Sequence, residues 1–187
     1  MVLGERGIEP AAVFHLTALM VEIPDEIWGT RDSALARGAT RFASTRLGSW
    51  AVRSMMPLDR KLLIRSEGRR TVLGPIGAPM LLIETIGRKS GQVRVSPLLF
   101  ARDGGSAVVV GSNFGQQHHP AWTGNLLANP SATIVVRGQR IPVTATLLEG
   151  ADAEAAYQRM VELTAVYAEY KGRTDRNIRV FRLTPTG

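Results

Sequence analysis

Residues 80–112 read MLLIETI-GRKSGQ-VRVSPLLFAR-DGG-SAVVVGS: three apolar runs joined by a glycine-bounded basic turn and a two-glycine turn. The runs 80–86, 93–102 and 106–112 have the length and the β-branched content of strands. Asp103-Gly104-Gly105 is a tight hairpin connection, and further along Gly138-Gln139 is another, between candidate strands 132–137 and 140–148. A last candidate strand covers 178–183. Connections this short pair successive strands antiparallel, which predicts a barrel or sandwich and excludes a doubly wound parallel sheet.

The basic turn has a chemistry of its own. Gly87 and Gly91 let the backbone turn tightly and approach a ligand, while Arg88, Lys89 and Arg94 stand among the hydroxyls of Ser90 and Ser96. Guanidinium forks, a point charge and small donors are what hold a phosphate or carboxylate. The same composition also fits an ordinary charged hairpin turn. A second loop, Gly111-Ser112-Asn113-Phe114-Gly115, follows the third strand and leads through Pro120-Ala121-Trp122-Thr123-Gly124-Asn125-Leu126 into a short helix expected over 120–127. Trp122 suits either the wall of a ring-binding pocket or ordinary core packing.

The two loops in this order, followed by Ala128-Asn129-Pro130, resemble the deazaflavin-dependent nitroreductase family, whose members use coenzyme F420. The resemblance spans roughly residues 77–183. It implies an α+β protein: a split β-barrel of the FMN-binding type, antiparallel, with flanking helices. It also implies F420H2-dependent hydride transfer to a quinone, nitro compound or other conjugated acceptor. Carried over residue by residue, Arg88, Lys89 and Arg94 neutralise the coenzyme's anionic tail, and Ser90, Gly91 and Ser96 add close polar contacts. Pro97, Gly111, Ser112, Asn113, Pro120, Ala121, Trp122 and Asn125 shape the ring pocket. Ser112 is placed near the reacting edge, and Tyr167 and Tyr170 match two tyrosines of the family's substrate pocket. The chain departs from the family's best-known pattern at Leu99 and Thr164, where tyrosines are often found, and at Asn113-Phe114, which replaces a small or basic pair. The coenzyme loop is therefore better matched than any one acceptor.

Outside that stretch the sequence sets bounds. The chain has 187 residues, of which 44% are hydrophobic, as expected for a soluble globular protein. It divides into a helical, arginine-rich extension over 1–75 and the coenzyme-binding barrel over 76–187. With no cysteine there is no disulfide or thiol chemistry. No stretch is long and apolar enough for a membrane span, and the start lacks the pattern of a signal peptide, so the expected address is cytoplasmic.

Net charge is +7, and from Arg31 to Arg70 ten Arg and Lys face only Asp32, Asp59 and Glu67. Within this block residues 31–56 are expected to be helical, with Leu35, Ala39, Phe42, Leu47, Trp50, Ala51 and Met55 recurring at nearly helical spacing. Such a helix either docks on the barrel with a solvated arginine face or lies peripherally on an anionic membrane, at its inner face in the cell. Residues 13–21 suit a short helix. No nucleic-acid partner is expected, since no binding motif or stacking aromatics accompany the charge.

Residues for hydrolytic chemistry are missing. His15, His118 and His119 form neither a triad nor a metal site, and the pair in the second loop reads as solvated or as a proton donor. The alanine-rich run 151–170 reads as one helix that places Tyr167 and Tyr170 on a common face. A tyrosine hydroxyl there can position an acceptor oxygen or pack in the core. Two other readings fit the same residues: a non-catalytic barrel that carries flavin, deazaflavin or lipid, and an FMN-dependent oxidoreductase.

Overall fold

The computed structural model describes residues 23–24, 46–71, 79–164 and 166–186. Six strands, β1 (Met80–Ile86), β2 (Val93–Asp103), β3 (Ser106–Val110), β4 (Ser131–Val136), β5 (Gln139–Leu148) and β6 (Val180–Pro185), close into an antiparallel barrel in the order β1-β2-β3-β6-β5-β4. The expected antiparallel barrel with flanking helices is thus the observed one. β5 shows how the pattern specifies it. Ile141, Val143 and Ala145 are buried and alternate with exposed Arg140, Pro142, Thr144 and Thr146, so one face meets the core and one meets water.

Where a helix covers the outside of the barrel the alternation disappears. All five residues of β3 are buried. Ala107 and Val109 join the interior core with Leu81, Ile83, Ile134 and Phe181, while Val108 and Val110 pack under helix α3 (Gly150–Leu163) against Ala156, Tyr157 and Met160. Helix α1 (Arg46–Arg65) seals another outer patch, with Leu63 set on Leu82 and Val135 and Arg60 Nη2 donating to the Val95 carbonyl at 2.8 Å. Ile23 is buried in the interior core, so that core draws on residues outside 76–187.

Three expectations need correction. The helix expected over 31–56 runs instead to Arg65 and carries Pro57 inside it. A proline there removes one backbone hydrogen bond, a cost of ~3 kcal/mol, which the burial of Leu63 against Leu82 and Val135 helps to offset. Residues 31–45 of that expected helix, with Leu35, Ala39 and Phe42, lie outside the described residues, as does the helix expected over 13–21. The single helix expected over 151–170 is two: α3 ends at Leu163, Thr164 is extended at φ −158°, and α4 (Val166–Lys171) follows. The break turns Tyr167 back onto α3, where the Tyr157 hydroxyl donates to the Tyr167 carbonyl at 2.7 Å and the two rings meet edge to face. Tertiary packing has overridden helix propensity. Finally, the β4–β5 turn is Arg137-Gly138, one residue earlier than expected, with φ of 48° and 84°. Positive φ at both central residues is what a tight two-residue hairpin requires.

Candidate functional site

Arg88, Lys89 and Ser90 form the exposed turn between β1 and β2, and Gly91 takes a left-handed φ of 67° to close it. Helix α2 (Ala121–Ala128) is tied directly to this turn. Asn125, buried on α2, donates through Nδ2 to Thr85 Oγ1 at 3.0 Å and accepts the Arg88 backbone N–H at 3.1 Å through Oδ1. Both functions of the amide are used within the protein, so Asn125 sets the turn against the helix. One residue before Asn125, Gly124 has no side chain where the Arg88 guanidinium crosses it. A Cβ there would stand 3.2 Å from Arg88 Nε.

Helical spacing gives α2 two faces. Trp122, Asn125 and Leu126 are buried, and Trp122 is only 5% exposed, packed on Phe181 with ring centroids 5.8 Å apart. Of the two roles open to Trp122 in the sequence, the side chain occupies the core. Gly124, Leu127 and Ala128, at i, i+3 and i+4, form the opposite face and line an open cleft of about 460 Å³. Arg88, His119 and Arg179 complete the lining, and among the described residues no acidic side chain takes part. The volume lies within the ordinary range of small-molecule sites.

Arg176 makes several of the contacts that hold the second loop. It donates from Nε to the Gln116 carbonyl (2.8 Å) and from Nη2 to the carbonyls of Gly111 (2.9 Å) and Ser112 (2.6 Å). Its Nη1 lies 3.0 Å from His119 Nδ1. Between these anchors Asn113, Phe114 and Gly115 all adopt positive φ, a strained arrangement for the first two that the clamp maintains. Since a guanidinium can only donate, His119 Nδ1 accepts, and the neutral ring carries its proton on Nε2. Burial, reinforced by the charges of Arg179 and Arg176, pushes the His119 pKa below its ordinary value and keeps the ring neutral.

Behind this loop the three residues expected to serve chemistry come together. The Ser112 side chain lies beside the Tyr167 hydroxyl, and Tyr167 and Tyr170 meet edge to face at 5.7 Å. Phe114 stacks edgewise on Tyr170 at 6.1 Å. Tyr167 is 6% exposed and its pKa is raised, chiefly by burial, so it stays protonated; Tyr170 is half-buried.

The remaining expected residues are more scattered. Arg94 and Ser96 share a face of β2 by strand alternation and pair with Thr85 and Ile83 of β1. Pro97 takes the other face. Gly111 is buried, Asn113 and Pro120 are half-buried, and Ala121 is exposed. Only Arg88 of the expected set lines the cleft. Arg179 was not anticipated at all, because nothing in its local sequence links it to residues 88 and 119. The open face of α2 was within reach, since the spacing of Gly124, Leu127 and Ala128 already placed them together.

Comparison with known proteins adds the following. A family model described as F420H(2)-dependent quinone reductase matches residues 55–185. An F420H(2)-dependent quinone reductase of Mycobacterium tuberculosis is 39% identical over 113 residues, 59% of this chain and 76% of its own length. Among solved structures, an F420-H2 dependent reductase (FDR-A) aligns at TM-score 0.53 and 38% identity, over 56% of this chain and 93% of that one. A structure described as a domain-swapped dimer aligns at TM-score 0.55 and 32% identity, over 72% and 98%.

Proposed function

Because this chain belongs to the F420H(2)-dependent quinone reductase family, we propose that it holds coenzyme F420 across the 88–94 turn and the cleft beside α2 and reduces a quinone. The observation that carries the assignment is the cleft itself: a basic opening with no described acid, between a turn and a helix that Asn125 locks together. The donor set fits a coenzyme bearing phosphate and carboxylates. When bound and reduced, the deazaflavin supplies the hydride.

The chain's own residues then bind, orient and shield. Arg88, Lys89 and Arg94, with Ser90 and Ser96, take the anionic chain. Arg176 fixes the 111–119 loop as one wall. Ser112 and Tyr167 hold a protonated hydroxyl pair behind that wall, and half-buried Tyr170 is the member of the cluster with access to an acceptor oxygen. Nitro compounds are acceptors of similar electronic character, but the quinone is the one favoured by the family.

Fluorescence titration with oxidised F420, with FMN in parallel, tests this reading. Saturable binding at micromolar concentration or tighter, weakening with salt, is expected, followed by menadione-dependent oxidation of F420H2. Binding of FMN alone would change the enzyme, and F420 binding without turnover would make the barrel a carrier.

A peripheral membrane contact is a separate proposal. On the solvent side of α1, Leu58 is 63% exposed beside exposed Met55, Lys61 and Arg65. Apolar side chains flanked by cations suit an anionic bilayer surface, where a lipid-soluble quinone would be found. The protein should therefore sediment with phosphatidylglycerol vesicles at low salt and be released by salt. Failure to sediment at low salt would remove the membrane from the account.

A further inference from the structure

Arg179 is held on both its backbone and its side chain. Its carbonyl accepts the Gly111 N–H at 2.8 Å, and Nη1 donates to Thr123 Oγ1 at 3.2 Å, while Thr123 Oγ1 itself donates to the Pro120 carbonyl at 2.9 Å. The rest of the guanidinium has no partner among the described residues, and neither Arg88 nor Arg179 meets a carboxylate there. Two of the described acids are engaged with other arginines: Asp103 holds Arg159 and Arg182, and Glu169 holds Arg173. Next to Arg179 stands the neutral His119, whose Nδ1 is taken by Arg176 and whose Nε2–H is left as a donor on a side chain that lines the cleft.

From this arrangement we infer that Arg179, assisted by the His119 Nε2–H, is a second oxyanion holder that lines the cleft together with Arg88 and takes a phosphate or carboxylate oxygen of the coenzyme. Two cations in one cleft repel each other, and an anion between them relieves that repulsion. A guanidinium held at Thr123 loses less side-chain entropy on binding than a free one, which favours a fixed position for the oxyanion. The role of His119 is subordinate: it donates one neutral hydrogen bond, and Arg176 keeps it in the donating tautomer.

This inference rests on the F420 reading, and the experiment separates the two. Wild-type protein, Arg179→Gln and His119→Phe are titrated by fluorescence with oxidised F420 and with a deazaflavin riboside that lacks the phosphate and the glutamyl chain. Circular dichroism melting verifies that each variant is folded. Glutamine retains a donor for Thr123 and removes the charge. The expected result is about a tenfold loss of F420 affinity for Arg179→Gln, with a shallower salt dependence, a smaller loss for His119→Phe, and no change for the riboside. Unchanged F420 affinity in folded Arg179→Gln, or an equal loss for the riboside, would overturn the inference and leave the enzyme's identity intact. If wild-type protein bound neither ligand, the F420 reading itself would fall.

Discussion

Arg88→Ala is expected to weaken the binding of oxidised F420 by roughly ten- to a hundred-fold while the melting temperature stays near that of wild type. The affinity loss follows from removing a hydrogen bond to a charged group, worth ~1.5–3 kcal/mol. The stability expectation comes from two separate observations. The Arg88 side chain is exposed and pairs with no described acid, and the part of Arg88 that supports the turn is its backbone N–H, which alanine keeps for Asn125 Oδ1. Lysine at this position would restore charge without the planar fork and should recover only part of the affinity. Fluorescence titration alongside a thermal melt reads both quantities. Wild-type affinity in the variant would mean that another segment holds the anionic chain.

Asn125→Ala should act in the opposite order, on the fold first and on binding through it. The buried amide serves two partners, Thr85 Oγ1 and the Arg88 N–H, and alanine removes both bonds at once. A buried polar group left unsatisfied costs ~1–3 kcal/mol, so the loss should come to about 2–4 kcal/mol, with a fall in melting temperature of roughly 5–15 °C. Aspartate is the informative comparison. It keeps an acceptor for the Arg88 N–H, and the Thr85 hydroxyl can reverse its role and donate. Asn125→Asp should therefore retain more of the turn's order than alanine does, while its negative charge beneath the turn opposes an anionic ligand. Urea unfolding of the three proteins distinguishes them. Equal stability of wild type and alanine variant would show that Asn125 does not organise the turn.

The sequence made the barrel legible because its signals are local. The strand 80–86 was bounded correctly by its apolar run and the following glycine, and 140–148 was read to within a residue from the turn signal before it. The failures have a common physical origin. At Thr164 the alanine-rich helix breaks because Tyr157 and Tyr167 pack better if it does, and no residue at the break signals that preference. The helix expected to stop at residue 56 runs on through Pro57, because the burial of Leu63 against the barrel outweighs the proline's lost hydrogen bond. The site was legible in the same measure. Arg88 and its neighbours stood out as a short motif. Arg176 and His119 are 57 positions apart, and only closure of the barrel brings them to 3.0 Å.

That closure also constrains the order of events during synthesis. β6, the last of the six barrel strands in sequence, is the strand between β3 and β5. Until residues 180–185 have left the ribosome, β3 and β5 each present a row of unpaired backbone groups, and the sheet is an open ribbon with two adhesive edges. The ring therefore closes only after translation has passed β6, and those edges stay unpaired until then. The same late event sets Arg176 and Arg179 in place, because both lie in the segment that leads into β6. A partly made chain has its basic turn but lacks Arg179, which lines the cleft, and Arg176, which holds the 111–119 loop.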